Sequence, residues 1–208
     1  MPASDALPRE WFDRIDASPD PLFYAAPRLV NHIDDATIAA LTAYYREVLP
    51  PGGAILDLMS SWVSHLPADV AFGRVAGLGM NREELAANPR LGEFCVHDLN
   101  IYPALPYESE SFDAVLCAVS IQYLTRPVEV FADLRRVLRP RGVSIVAMSH
   151  RCFPTKAVRA FHVLPRDGRL ELVATYHALA GGFAEAERLD RSPAGADPLW
   201  IVAARRLA

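Results

Sequence analysis

The sequence predicts an α/β protein built on a mostly parallel sheet with helices on both faces. Three observations carry that prediction. From Ala54 onward, apolar segments of strand length alternate with amphipathic segments of helical spacing. The strand segments are apolar along their whole length, as in a sheet covered on both faces. Two closing strands, near Phe183 to Leu189 and at "PLWIVAAR", have no long helix between them, so an antiparallel edge strand is expected there.

The elements follow in order. The first ~30 residues are rich in Pro, Asp and aromatics and read as an arm lying on the domain. Asp34 or Asp35 caps a helix that runs to about Val48, with Ile38, Leu41, Tyr45, Val48 and Leu49 at helical spacing. "PPGG" at Pro50 to Gly53 stops it. "AILDLM" is a strand. "SSWVSHL" is at most two helical turns, because Pro67 disfavours helix at the residue before it. "GRVAGLGM" is the second strand. "NREELAAN" is a short helix, with Asn81 and Glu84 spaced as a capping box. "GEFCVHDL" and "SFDAVLCAVS" are the third and fourth strands. "PVEVFADLRRVL" is a helix with Pro127 at its first position and Val130, Leu134, Val137 and Leu138 as its inner stripe. "GVSIVAMS" is the fifth strand, and a helix across Leu170 to Ala180 precedes the closing pair.

The chain of 208 residues is 51% apolar, which fits one domain with a substantial core and excludes a disordered chain. Residues 1–50 are expected to form an arm and helix, and residues 51–208 the core. No apolar run approaches the roughly 18–20 residues a membrane span needs. The N-terminal "MPASDALPREWF" is acidic and unlike a signal peptide, so a cytoplasmic protein is expected. A net charge of −4 without a basic run argues against nucleic acid as a partner. Cys95, Cys117 and Cys152 lack CxxC spacing, which fits a reducing compartment and no metal site; Cys95 and Cys117 are expected to be buried.

The segment "LPYESESFDAVLCAVSIQYLTRPVEVFADLRRVLRPRGVSIVAM" resembles the class I S-adenosylmethionine-dependent methyltransferases, above all the small domains called type 11. The resemblance implies a Rossmann-like methyltransferase fold, a seven-stranded, mostly parallel sheet, with S-adenosyl-L-methionine as cofactor. In such a sheet the ligand lies outside the carboxyl ends of the strands, where the strand order reverses. Those ends are Asp57 to Ser61, Gly79 to Asn81, Asp98 to Asn100 and Ala118 to Ser120. The expected cofactor residues are Asp57, Met59, Ser60 and Ser61; Gly79, Met80 and Asn81; Asp98, Leu99 and Asn100; and Val119.

The resemblance places Asp57 near the donor's amino acid end and Asp98 at the adenine amino group, with the N–H of Leu99 or Asn100 facing the ring. Asp57 can equally accept bonds within its own turn, and Asp98 can be a loop acid. Two features depart from the family pattern. Its glycine-rich turn is replaced by "MSSW", and Gly79 stands where an acid normally holds the ribose hydroxyls. Asn81 is left as a ribose contact or simply an N-cap. Ser60 and Ser61 can still donate to a carboxylate at a helix N-terminus. The short helix brings Trp62, Val63 and His65 close to the cleft.

Methyl transfer needs an oriented acceptor and, for some acceptors, a base. The candidates are Tyr123 after strand four and His150 and Arg151 after strand five, with Cys152 beside them. An imidazole at position 150 suits general-base work, and Arg151 suits a carboxylate or phosphate. Tyr24, Arg28 and His32 of the arm, and Gln122, are the expected substrate contacts. Arms of this kind fold over the donor in the family, and with no separate substrate domain a small-molecule acceptor is expected. The rival readings are a non-catalytic member of the fold and, more remotely, a nicotinamide enzyme, which lacks its G-x-G-x-x-G turn here.

Overall fold

The computed structural model describes residues 6–208, so the start of the expected arm lies outside the described residues. The arm contains a 3-10 turn at Arg9–Phe12 and a single helical turn, α1 (Asp20–Phe23). Helix α2 (Asp35–Val48) follows, capped by Asp34, whose Oδ1 accepts from Thr37 N–H at 2.8 Å. Asp34 Oδ2 also accepts from Asp197 N–H at 2.6 Å, tying the helix start to the loop before the last strand. Asp34→Ala removes both bonds and is expected to lower the urea midpoint, with Asp34→Asn recovering only part of it, because its amide has one acceptor oxygen for the two N–H groups.

Next come β1 (Ala54–Leu58), β2 (Arg74–Gly79), α3 (Arg82–Ala87), β3 (Glu93–Val96) and β4 (Phe112–Ala118). Helix α4 (Pro127–Val137) runs straight into β5 (Leu138–Met148), which therefore starts four residues before the expected Gly142. Two helices follow, α5 (Arg159–Val163) and α6 (Arg166–Ala180), then β6 (Glu187–Asp190) and β7 (Trp200–Arg205).

The strand order is β3-β2-β1-β4-β5-β7-β6. β1 to β5 pair in parallel, and β7 runs antiparallel to both β5 and β6. The antiparallel pairing is thus made at the closing edge, with β7 inside β6.

Both faces are covered, as the uniformly apolar strands require. On one, Phe131, Leu134 and Val137 of α4 and Val173 and Tyr176 of α6 pack on Leu56, Val115 and Val146. On the other, Leu41, Tyr44 and Tyr45 of α2 pack on Ile55, Leu116 and Ile145. Cys117 is buried in the first core; Cys95, expected inside, is only half-buried, because its strand is the outer edge of the sheet. No helix among the described residues is long and apolar enough to cross a membrane.

Candidate functional site

The strand order reverses between β1 and β4, and a cleft opens there against the carboxyl ends of β1, β2, β3 and β4. Its floor holds Asp57, Met59, Ser60 and Ser61 from β1, and Gly79, Met80 and Asn81 from β2. Asp98, Leu99 and Asn100 after β3 and Val119 after β4 complete it. Tyr24, Arg28 and His32 of the arm form its roof.

The segment after β1 is not helical, contrary to the reading of "SSWVSHL" as a short helix. Pro67 is one reason. The serines are the other: Ser60 Oγ and Ser64 Oγ both donate to Asp57 Oδ2 at 2.6 Å, turning inward to satisfy a buried carboxyl. Ser61 Oγ donates to Glu84 Oε2 at 2.6 Å. These hydroxyls are committed to protein acids, and no helix dipole stands behind them. The expectation of serines offered to a ligand carboxylate at a helix N-terminus is therefore corrected. Burial pushes the Asp57 carboxyl up to about 6, against the opposing pull of the two serine hydroxyls.

The turn keeps the backbone shape that glycine favours without the glycine. Met59 sits at φ +56, in the left-handed region, at a cost of roughly 1–2 kcal/mol. The next residue pins it: Ser60 N–H donates to Leu78 O at 2.7 Å, laying the turn across the end of β2. A Cβ on Gly79 would lie 2.2 Å from Ser60 O and 3.2 Å from a Leu85 methyl. The missing glycine turn and the missing acid are thus one feature, since the redirected turn occupies the space an acid at position 79 would need.

Asn81 caps α3, its Oδ1 accepting from Glu83 and Glu84 N–H at 2.9 and 3.1 Å. Its Nδ2 donates to the arm carbonyls of Tyr24 and Ala25, so its amide is fully engaged. The return half of the expected capping box is not made. Glu84 instead turns into the cleft and accepts from Arg28 N–H at 2.7 Å.

Asp98 Oδ1 accepts from Asn100 N–H at 2.9 Å. Among the described residues its Oδ2 and the Leu99 N–H have no such partner, so of the two amides considered for the adenine ring that of Leu99 is the one left open there. The Asn100 side chain is structural, donating to Asp20 Oδ2 and Tyr123 O and accepting from Thr125.

The roof is anchored at both ends. Lys156, the chain's only lysine, is wholly buried, with Nζ 3.2 Å from both Asp16 and Asp20 and bonded to Ser18 O at 2.7 Å. Trp62 Nε1 donates to Val30 O at 3.0 Å, joining the β1 turn to the arm. Arg28 lies over Phe23 and Phe153, 4.5 and 5.3 Å from their ring centres.

A second, shallower cavity adjoins the cleft and shares His32, Val119, Tyr123 and Phe153 with it. Phe153 stacks on Tyr123 at 5.7 Å and meets His32 edge-on at 5.2 Å. Tyr123 Oη accepts from Phe153 N–H at 2.8 Å, and burial holds its hydroxyl up at about 12, so it remains a donor at neutral pH. Val119, a β-branched residue at φ +45, is fixed by its N–H on Ala147 O and its carbonyl on Gln122 Nε2.

His150, Arg151 and Cys152 line this outer vestibule rather than the cleft itself. Asp197 holds two of them, with Arg151 Nε at 2.7 Å and His150 Nε2 at 3.5 Å. Burial raises the Cys152 thiol, which disfavours a thiolate. Gln122 borders neither cavity. It is buried and bonded to Val119 O, so the expected substrate contact is corrected to a support for the β4 turn.

Trp62, Val63 and His65 line the cleft as expected. His65 is 9% exposed, its Nδ1 has no partner among the described residues, and burial pushes it down to about 4, so it is a neutral imidazole.

Residues 61–146 match the family model described as a methyltransferase domain. Among solved structures, the (4+2)-cyclase SpnF aligns with a TM-score of 0.60 at 18% identity, covering 81% of each chain. An S-adenosylmethionine-dependent methyltransferase from Mesorhizobium loti aligns with a TM-score of 0.57 at 19% identity, covering 81% of this chain and 98% of its own. Phosphoethanolamine N-methyltransferase 2 of Haemonchus contortus, in complex with S-adenosyl-L-methionine, aligns with a TM-score of 0.58 at 16% identity, covering 84% of this chain and 53% of its own. At these identities the likeness is one of fold. No curated protein sequence matches the chain.

Proposed function

We propose that this chain is a class I S-adenosylmethionine-dependent methyltransferase, a reading supported by the methyltransferase-domain match over residues 61–146 and by the fold. In our reading it methylates a small-molecule acceptor. The observation that carries this reading is the pair of adjoining cavities, a deep cleft at the strand ends and a vestibule reached past His32, Val119, Tyr123 and Phe153. A collar of this kind suits a small acceptor better than a polymer.

The cleft residues fit the donor. Asp98 Oδ2 and the Leu99 N–H, unpartnered among the described residues, can pair with an adenine edge. The buried Asp57 carboxyl suits a neighbouring ammonium group, which would favour its charged form. When bound, S-adenosylmethionine supplies an electrophilic methyl carbon on a sulfonium sulfur. The chain's own residues exclude water and set the line of approach. The arm, latched through Lys156 and Trp62, closes the cleft from above. Tyr123 orients the acceptor from the collar through its hydroxyl proton. His150 takes the acceptor's proton where there is one to lose, and Arg151 holds an anionic substituent. Three free cysteines, Cys95, Cys117 and Cys152, support a cytoplasmic location.

Calorimetric titration with S-adenosylmethionine and S-adenosylhomocysteine tests the reading, and no binding at millimolar donor would sink it. Asp98→Ala is expected to weaken S-adenosylhomocysteine about ten-fold, the scale of one lost buried hydrogen bond. An unchanged affinity would mean that adenine lies elsewhere. A second reading, donor binding without methyl transfer, is favoured by the inward-turned hydroxyls of the β1 turn. The fold also carries a (4+2)-cyclase. Formation of S-adenosylhomocysteine with any acceptor would exclude it.

A further inference from the structure

Four carboxyl groups border the cleft, and Glu84 differs from the other three. Asp20 is neutralised by Arg14 at 2.7 Å and by Lys156 at 3.2 Å. Asp57 takes two serine hydroxyls on a single oxygen. Asp98 is half-exposed and closes its own turn. Glu84 is 8% exposed, and no cation lies within ion-pair distance among the described residues. Among the described residues each of its oxygens has one protein donor, the Arg28 N–H on Oε1 and the Ser61 hydroxyl on Oε2. Each therefore keeps an acceptor position, and a buried carboxylate this sparsely bonded calls for further donors. Two such positions on one carboxylate that lines the cleft match two adjacent hydroxyl groups on one ligand.

Position supports the same occupant. Glu84 stands in the first turn of α3, beside the end of β2, where Ser60 O fills the space at Gly79 and the Asn81 amide is engaged. On the donor reading, with the base at Asp98 and the 5′ substituent toward Asp57, the sugar lies between them in the cleft that Glu84 also lines. We propose that Glu84 is the diol-binding residue of the cleft, accepting the 2′- and 3′-hydroxyls of the donor's ribose. The proposal rests on the adenosyl-donor reading above.

The test compares adenosine with 2′,3′-dideoxyadenosine by calorimetry on the full chain, with S-adenosylhomocysteine titrated in parallel. The wild type is expected to prefer adenosine by about ten- to a hundred-fold, the range for hydrogen bonds to a charged group. In Glu84→Ala the preference should fall to within about two-fold, with Glu84→Gln between, since hydrogen bonds to an uncharged amide are weaker. Glu84 also holds the arm through Arg28, so a purely structural role would weaken both nucleosides equally and leave their ratio unchanged. That outcome would overturn the proposal. A wild type that binds S-adenosylhomocysteine without distinguishing the nucleosides defeats this proposal alone. Failure to bind S-adenosylhomocysteine or adenosine defeats the donor reading with it.

Discussion

Gly79→Glu, which would restore an acid to the end of β2, is expected to destabilise the protein and abolish donor binding. The introduced Cβ would meet Ser60 O at 2.2 Å, a backbone atom that cannot rotate away. The turn is held there by Ser60 N–H on Leu78 O and by the two serine bonds to Asp57, so displacing it breaks several contacts together. Overpacking and one lost backbone hydrogen bond together amount to about 3 kcal/mol. Gly79→Ala carries the same steric conflict without the charge and should lose nearly as much stability, which separates space from electrostatics. Urea unfolding and titration with S-adenosylhomocysteine read both effects. If Gly79→Glu were as stable as the wild type and bound the donor more tightly, the β1 turn would not lie where it is placed here.

The coupling of Met59 to Gly79 marks the limit of what the sequence reveals. Wherever a periodic pattern and its punctuation agree, as in α2 behind Asp34 and α4 behind Pro127, the elements stand where the spacing puts them. The cleft's floor is also legible, because the ends of parallel strands converge whatever their side chains. What the sequence hides is the choice each polar group makes among partners. Ser60 and Ser64 could face a ligand or an acid, and only the burial of Asp57 decides it. Glu84 carried a signal, its place three residues after Asn81, but that spacing points to a capping box. The arm passing overhead offers it Arg28 N–H instead. His65 carried no signal for its left-handed backbone, at φ +53.

Asp57 carries the second large effect, a pH dependence of opposite sign to that of most surface acids. Its folded-state carboxyl titrates at about 6, against 3.8 for the free group, so the folded chain holds this proton more tightly than the unfolded one. The resulting stability is fully present below about pH 4 and is lost as pH rises through about 6, a loss of about 3 kcal/mol in the ligand-free protein. A donor ammonium beside Asp57 favours the carboxylate, so donor affinity should rise over the same window. It should be about ten-fold weaker at pH 5 than at pH 7.5. Asp57→Asn mimics the protonated side chain and can still accept from Ser60 and Ser64. It should therefore be more stable than the wild type at pH 7, with no step in its urea midpoint between pH 4 and 6. Its affinity for S-adenosylhomocysteine should be weaker and lack the step assigned to Asp57. A stabilised but poorly binding variant is the expected signature of a buried charge kept for a ligand rather than for the fold. If Asp57→Asn kept the wild-type pH dependence of binding, the ammonium would lie away from Asp57 and another group would govern donor recognition.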